Sequence, residues 1–171
     1  MQLFGGIDYS VDGNPIDYPK SVAYKSLMLS GVPNFAYAIG YTNSSWTLKI
    51  GLICEHLCRI MQHMTEQDQL ICQPELPDPN MPTRPLLDFG AGYVQRAIDN
   101  LPRRGMSAPW DVAMDYKVDA KNLRLGSVTD DCLKFYASAK SPVKSSDKTK
   151  NSTKKSQTSK QKKQVKEVAE L

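Results

Sequence analysis

The pattern that most constrains this chain lies between residues 45 and 64. There Ile50, Ile53, Cys54, Leu57, Ile60, Met61 and Met64 recur at intervals of three and four, the spacing of one face of an α-helix. Lys49, Glu55, Arg59 and Gln62 fall largely outside that stripe. The segment therefore predicts an amphipathic helix packed on a core, not a membrane span. Ser44 or Ser45 stands where a side chain caps such a helix by accepting a backbone N–H bond. Just before it, Phe35-Ala36-Tyr37-Ala38-Ile39 is short, apolar and closed by Gly40, which suits a buried strand of a central sheet. Strand, glycine, polar turn and helix start together turn backbone N–H groups toward a ligand at the carboxyl end of a strand.

The flanking segments are shorter. Ile7–Val11 and Pro15–Tyr18 flank Asp12-Gly13-Asn14, a turn that favours a β-hairpin. Ser21 to Leu29 reads as a further strand, closed by Ser30-Gly31-Val32-Pro33. Five prolines between residues 74 and 85 predict an extended connection. A short helix is expected from Tyr93 to Asn100, ending before Pro102, and residues 111–137 fit either helix or irregular structure.

Charge divides the chain. From Ser138 onward ten lysines oppose three acids, a net +7, while the whole chain carries +4 and residues 1–137 therefore −3. Apolar residues nearly vanish in the tail, so residues 138–171 are expected to stay disordered and residues 1–137 to form the folded domain. Lysines of this density attract anionic surfaces or nucleic acid through counterion release. The tail offers no aromatic side chain for base stacking and no apolar face for insertion. At most a weak anionic-surface contact is expected there, and no specific nucleic-acid binding. The N-terminus lacks the basic start and long apolar core of a secretory signal. Four irregularly spaced cysteines then suggest reduced thiols in a cytoplasmic setting.

Cys54, Glu55, His56, Cys58 and His63 superficially suggest a metal site. Four converging ligands, usually presented on turns, are what a structural zinc requires, so none is expected here. The cysteines are read as small packed hydrophobes, and His56 and His63 as partly exposed helix residues. No G-x-G-x-x-G fingerprint occurs between a strand and a helix. Arg84, Arg96, Arg103 and Arg104 are read first as surface or interdomain charges.

The wording of two stretches is more specific than their pattern. Val32-Pro33-Asn34-Phe35 followed by Gly40-Tyr41-Thr42-Asn43-Ser44-Ser45-Trp46-Thr47-Leu48-Lys49 closely resembles the C-terminal part of class B flavoprotein monooxygenases, of the Baeyer–Villiger and flavin-containing monooxygenase family. Gly92-Tyr93-Val94-Gln95-Arg96-Ala97, Leu101-Pro102-Arg103-Arg104-Gly105, Pro109-Trp110, Asp119, Leu123-Arg124 and Leu133-Lys134-Phe135 follow in the family's order. The resemblance spans roughly residues 1–136; Gly90-Ala91 departs from it, where the family often has Pro or Ser.

The resemblance implies an α/β fold, the C-terminal portion of a Rossmann-like FAD/NAD(P)-binding architecture. It implies FAD and NADPH as cofactors of the intact enzyme. It also implies oxygenation of a ketone, thioether or amine by O₂ through a C4a-peroxyflavin. By the same resemblance Thr42, Asn43, Ser44, Ser45, Trp46 and Thr47 lie against the pyrimidine side of the flavin, where a helix N-terminus supplies roughly half a positive charge. Catalytic residues are not expected in this stretch. The glycine-rich FAD turn, the NADPH domain and the fingerprint joining them have no counterpart in the sequence. A fragment that is catalytically silent by itself is therefore expected. The alternatives are a non-catalytic interaction module, or a binder of anionic surfaces or nucleic acid through the basic tail.

Overall fold

The computed structural model describes residues 4–138; the expected disordered tail lies outside them, apart from Ser138. Ser10–Val11 (β1) and Asn14–Pro15 (β2) pair antiparallel, with Val11 opposite Asn14. Asp12 and Gly13 both take positive φ, 51° and 80°, the two-residue turn whose twist matches that of the strands. The expected hairpin is therefore present.

The single strand expected over Ser21–Leu29 is instead folded in two. Ala23–Tyr24 (β3) and Met28–Leu29 (β4) pair antiparallel around Lys25 and Ser26, which adopt φ of 46° and 61°. The reversal buries both faces at once. Val22 and Tyr24 enter one apolar cluster with Leu27, Met28, Leu52, Ile53, Ile60 and Trp110, whereas Ala23 enters a second with Ile39, Leu86, Val94, Leu101 and Val112. Successive residues of a strand point to opposite faces, so this small hairpin stands between two cores.

Residues 35–39 are not a strand. No ladder partner lies beside them; Tyr37 donates its N–H to the Leu27 carbonyl (2.8 Å), Ile39 is buried, and Phe35 and Tyr37 pack on the Phe4 ring.

Trp46–Glu66 forms the long helix (α1) over 21 residues, close to the predicted span. Its buried face is rotated from the predicted one. Lys49, Leu52, Ile53, His56 and Ile60 are buried, while Cys54, Cys58 and Met61 are exposed. His56 is thus fully buried rather than partly exposed, and Cys54 and Cys58 do not pack as core hydrophobes. Partners from outside the helix decide this, because a polar head that finds them can enter a core. Ser45 occupies the N-cap position but makes no side-chain cap; its Oγ lies 3.1 Å from Thr47 Oγ1 instead.

The proline-rich connection carries Ile71–Pro74 (β5) and Thr83–Pro85 (β6). A short helix, Gly92–Gln95 (α2), and one further turn to Asn100 precede Arg103–Gly105 (β7). Tyr116–Asp119 (α3) continues into a wider-wound turn over Ala120–Leu125, and Leu133–Tyr136 (β8) closes the described chain. β5 pairs antiparallel with β8, and β6 with β7. Helix and strand are mixed as expected of an α/β chain. Every ladder among the described residues is nonetheless two-stranded and antiparallel, with Val22 and Arg103 forming an isolated parallel bridge. The expected central sheet is absent from them. No helix among them is long and apolar enough to cross a membrane.

α1 is fastened to the wide turn by polar groups. His56 Nδ1 donates to the Leu123 carbonyl (2.7 Å). Arg59 donates to the carbonyls of Leu123, Arg124 and Gly126 at 2.8–3.0 Å, meeting oxygens that a helix end leaves without partners. Burial pushes the His56 imidazole down to about 4. Between its ordinary value near 6.5 and about 4, the unfolded chain takes up a proton that the folded chain refuses. Stability is therefore full above pH 6.5 and lost as pH falls through that window, by on the order of 3 kcal/mol. Urea unfolding at pH 7.5 and 4.5 should show the loss, and His56→Leu should flatten much of it.

Candidate functional site

The turn ahead of α1 is built around Gly40. A Cβ there would collide with the Trp46 ring, 2.6 Å from its Cγ, and with the Trp46 carbonyl at 2.6 Å. Gly40 lets the chain pass directly under the first turn of the helix. Tyr41 is then buried, while Thr42, Asn43, Ser44, Ser45, Trp46, Thr47 and Leu48 are exposed.

The structure thus brings all six sequence-predicted residues, Thr42 to Thr47, onto one continuous exposed rim at the N-terminus of α1. Asn43 is tied back by its Nδ2, which donates to the Met114 carbonyl (3.1 Å). Trp46 and Leu48 are about half exposed, 51% and 47%, and add apolar surface beside polar donors. The first turn carries no acidic residue and receives no side-chain cap. The positive end of a 21-residue helix is therefore left without a negative partner in its own sequence.

Beneath the rim lies a network that the sequence reading missed. Lys49 is fully buried; its Nζ donates to the Ala113 carbonyl (2.8 Å) and pairs with Asp119 Oδ2 (3.1 Å). The same carboxylate oxygen accepts from Tyr41 Oη (2.8 Å), and the ammonium lies 5.1 Å from the Tyr41 ring centre. Burial lowers the Lys49 pKa from its ordinary value, with Asp119 opposing the shift. Burial and the Asp119 hydrogen bond raise that of Tyr41. In the sequence Asp119 stands out only as one motif position. Nothing local announces that a lysine on a helix will meet a carboxylate seventy residues away.

Asp119 also lines a cleft of about 460 Å³ with Lys25, Pro109, Asp111, Asn122 and Asp130. Much of its charge is neutralised locally: Lys25 pairs with Asp130 (3.0 Å) and Arg84 with Asp111 (2.7 Å). Arg104 donates to the Val112 carbonyl (2.8 Å) and Arg103 to Thr83, so these two arginines serve the β6–β7 region. Among the described residues no group of three or more His, Cys, Asp or Glu is arranged to hold a metal.

The rim has the donor set for a planar, electron-accepting ring that gains negative charge. It offers helix N–H groups, the hydroxyls of Ser44, Ser45 and Thr47, and an apolar flank. FAD fits that description through its isoalloxazine.

Comparison with known proteins points the same way: the chain is homologous to a segment of the FAD-containing monooxygenases. It is 41% identical over 135 residues to the FAD-containing monooxygenase EthA of Mycobacterium tuberculosis strain H37Rv, covering 79% of this chain and 28% of the relative. The Mycolicibacterium smegmatis protein of the same name is likewise 41% identical over 135 residues, 27% of its length. A "Probable FAD-binding monooxygenase AlmA" of an Acinetobacter species is 34% identical over 140 residues. The chain thus spans little more than a quarter of the length of these relatives. No family model matches it, and no solved structure does.

Two substitutions test the platform. Gly40→Ala should lower stability by about 1–3 kcal/mol through overpacking against Trp46, read as a shifted urea midpoint. Asp119→Asn leaves the buried Lys49 ammonium without its counter-charge and should cost about 3–5 kcal/mol. Combining it with Lys49→Met should recover part of that loss, a coupling that a double-mutant cycle measures directly.

Proposed function

We propose that this chain forms the flavin-facing wall of an FAD-dependent monooxygenase, with Thr42–Thr47 set against the pyrimidine side of the isoalloxazine. The carrying observation is the uncapped, acid-free N-terminus of α1, exposed beside Trp46 and held from below by Lys49 and Asp119. It coincides with a segment that matches FAD-containing monooxygenases. FAD, when bound, supplies the activation of O₂. This chain's residues orient it. Backbone N–H groups and the hydroxyls of Ser44 and Thr47 face developing negative charge, and Trp46 and Leu48 exclude water from the ring edge. Catalysis at such a site is by pre-set dipoles, so no side chain here need move a proton.

In this reading NADPH is the reductant, and the oxygen acceptor is a small ketone, thioether or amine. In the same reading the NADPH site has no counterpart in this sequence, which contributes one wall of the flavin pocket and part of the substrate side. The 171-residue chain alone therefore oxidises no NADPH, even with FAD added.

The test is a chimaera in which residues 4–138 replace the matched segment of the Mycobacterium tuberculosis relative. A soluble chimaera should retain FAD through gel filtration and oxidise NADPH. Adding Thr47→Asp should release the flavin, because the new carboxylate neutralises the helix end. In the isolated chain the same substitution should be neutral or stabilising, by about 0.3–1 kcal/mol. A folded chimaera that emerges without flavin, or one that keeps it equally well with Thr47→Asp, would overturn the assignment.

A further inference from the structure

The rotation of the buried face of α1 leaves three sulfur side chains on its outer surface. Cys54 and Cys58 are both exposed, and Met61 is 58% exposed. Positions i, i+4 and i+7 of a helix fall within an arc of roughly 60°, so the three sulfurs share one strip. We propose that this strip binds a soft monovalent metal ion of the Cu(I) class, with the two thiolates as principal ligands and the Met61 thioether as a third. The proposal stands independently of the flavin reading.

The geometry suits an ion better than a disulfide. Side chains four apart on a helix have Cβ atoms about 5–6 Å from each other, whereas a disulfide needs about 3.5–4.5 Å. The thiols cannot close on one another without distorting α1. Metal–thiolate bonds of about 2.3 Å let two sulfurs share one ion at separations up to about 4.6 Å, within reach of ordinary rotamers. Met61 is unbranched and flexible, and a helical side chain leans over the preceding turn. A rotamer of that kind brings its sulfur within reach of an ion held at Cys58.

Donor chemistry selects the ion. Thiolate and thioether are soft ligands that favour Cu(I) over hard cations. A structural zinc wants four ligands, and the neighbours that might complete a tetrahedron are engaged elsewhere. His63 stands nine residues after Cys54, about half a turn round the helix, with its ring edge-on to Phe135. His56 is buried on Leu123, and Glu55 holds Arg124 in a bidentate pair at 2.6 and 2.7 Å. Two or three sulfurs at an open surface satisfy Cu(I), which accepts low coordination. Binding Cu⁺ through two thiols forms two copper–sulfur bonds and releases two protons, with no change of oxidation state.

The test uses the full chain, reduced and kept anaerobic, titrated with Cu(I) in competition with the chromophoric chelator bicinchoninate. One Cu(I) per chain should be withdrawn from the chelator, and bound metal should shield Cys54 and Cys58 from alkylation as read by peptide mass spectrometry. The Cys54→Ser/Cys58→Ser variant should keep its helical circular dichroism and lose affinity by roughly a hundredfold or more, because both anchors of a chelate are gone. Met61→Leu should weaken binding several-fold at unchanged stoichiometry, and Cys132→Ser should leave it unaltered. Equal uptake by the double serine variant would overturn the proposal. So would uptake no tighter than that of the same chain unfolded in urea.

Discussion

The site depends on a lysine that has no solvent. Stripping water from an ammonium costs several kcal/mol even after the surroundings relax, and Lys49 is fully buried in the first turn of α1. That turn is also the positive end of the helix, where a second positive charge is disfavoured. The arrangement holds only because Asp119 supplies a counter-charge, the Ala113 carbonyl accepts a hydrogen bond, and the Tyr41 ring lies alongside. These partners come from both sides of the helix in sequence. Tyr41 belongs to the turn itself, and residues 113–119 approach from a distant segment. The ion pair therefore fixes the start of α1 against the rest of the molecule and, with Gly40, determines where the exposed rim stands.

The same logic continues along the helix. At His56 the neutral imidazole enters the core because the Leu123 carbonyl accepts a hydrogen bond from its Nδ1–H. Arg59 stays partly buried because three carbonyls at the end of the wide turn need donors. Glu55 and Arg124 close the outer edge, but both are about half exposed, and such a pair contributes little. α1 and the segment from Ala113 to Gly126 are thus joined at three levels by polar contacts lying beside an apolar seam of Leu52, Ile53, Ile60 and Leu123.

That explains which features were legible in the sequence. The Asp12-Gly13 hairpin was visible because the residues that permit positive φ are local to the turn. The long helix was visible because its span depends on a repeated spacing. Its buried face was misread because spacing identifies apolar residues and not polar ones with partners; Lys49, His56 and Asp119 meet only in the folded chain. Ser21–Leu29 was read as one strand because Lys25 and Ser26 give no warning of left-handed backbone. Phe35–Ile39 has the composition of a buried strand and lacks only a neighbour to pair with. The candidate rim at Thr42–Thr47 was located by its wording. Its support by a buried ion pair was not legible at all.

A helix dipole can act on a ligand only if its end is rigid and free of competing charge. An ordinary cap meets the first condition and defeats the second, since a Ser or Asp side chain fastened to the terminal N–H groups occupies the donors a ligand needs. In this chain the fastening is moved below the helix. Gly40 admits the backbone, Lys49 and Asp119 anchor it from within, and the hydroxyl of Ser45 turns to Thr47 rather than to the helix end. An uncapped terminus would otherwise fray; held this way, it stays both ordered and open. The buried ion pair is thus a costly substitute for a cheap cap, and the cost is intelligible if the N–H groups of Trp46 and Thr47, which receive no side-chain cap, have something to bind.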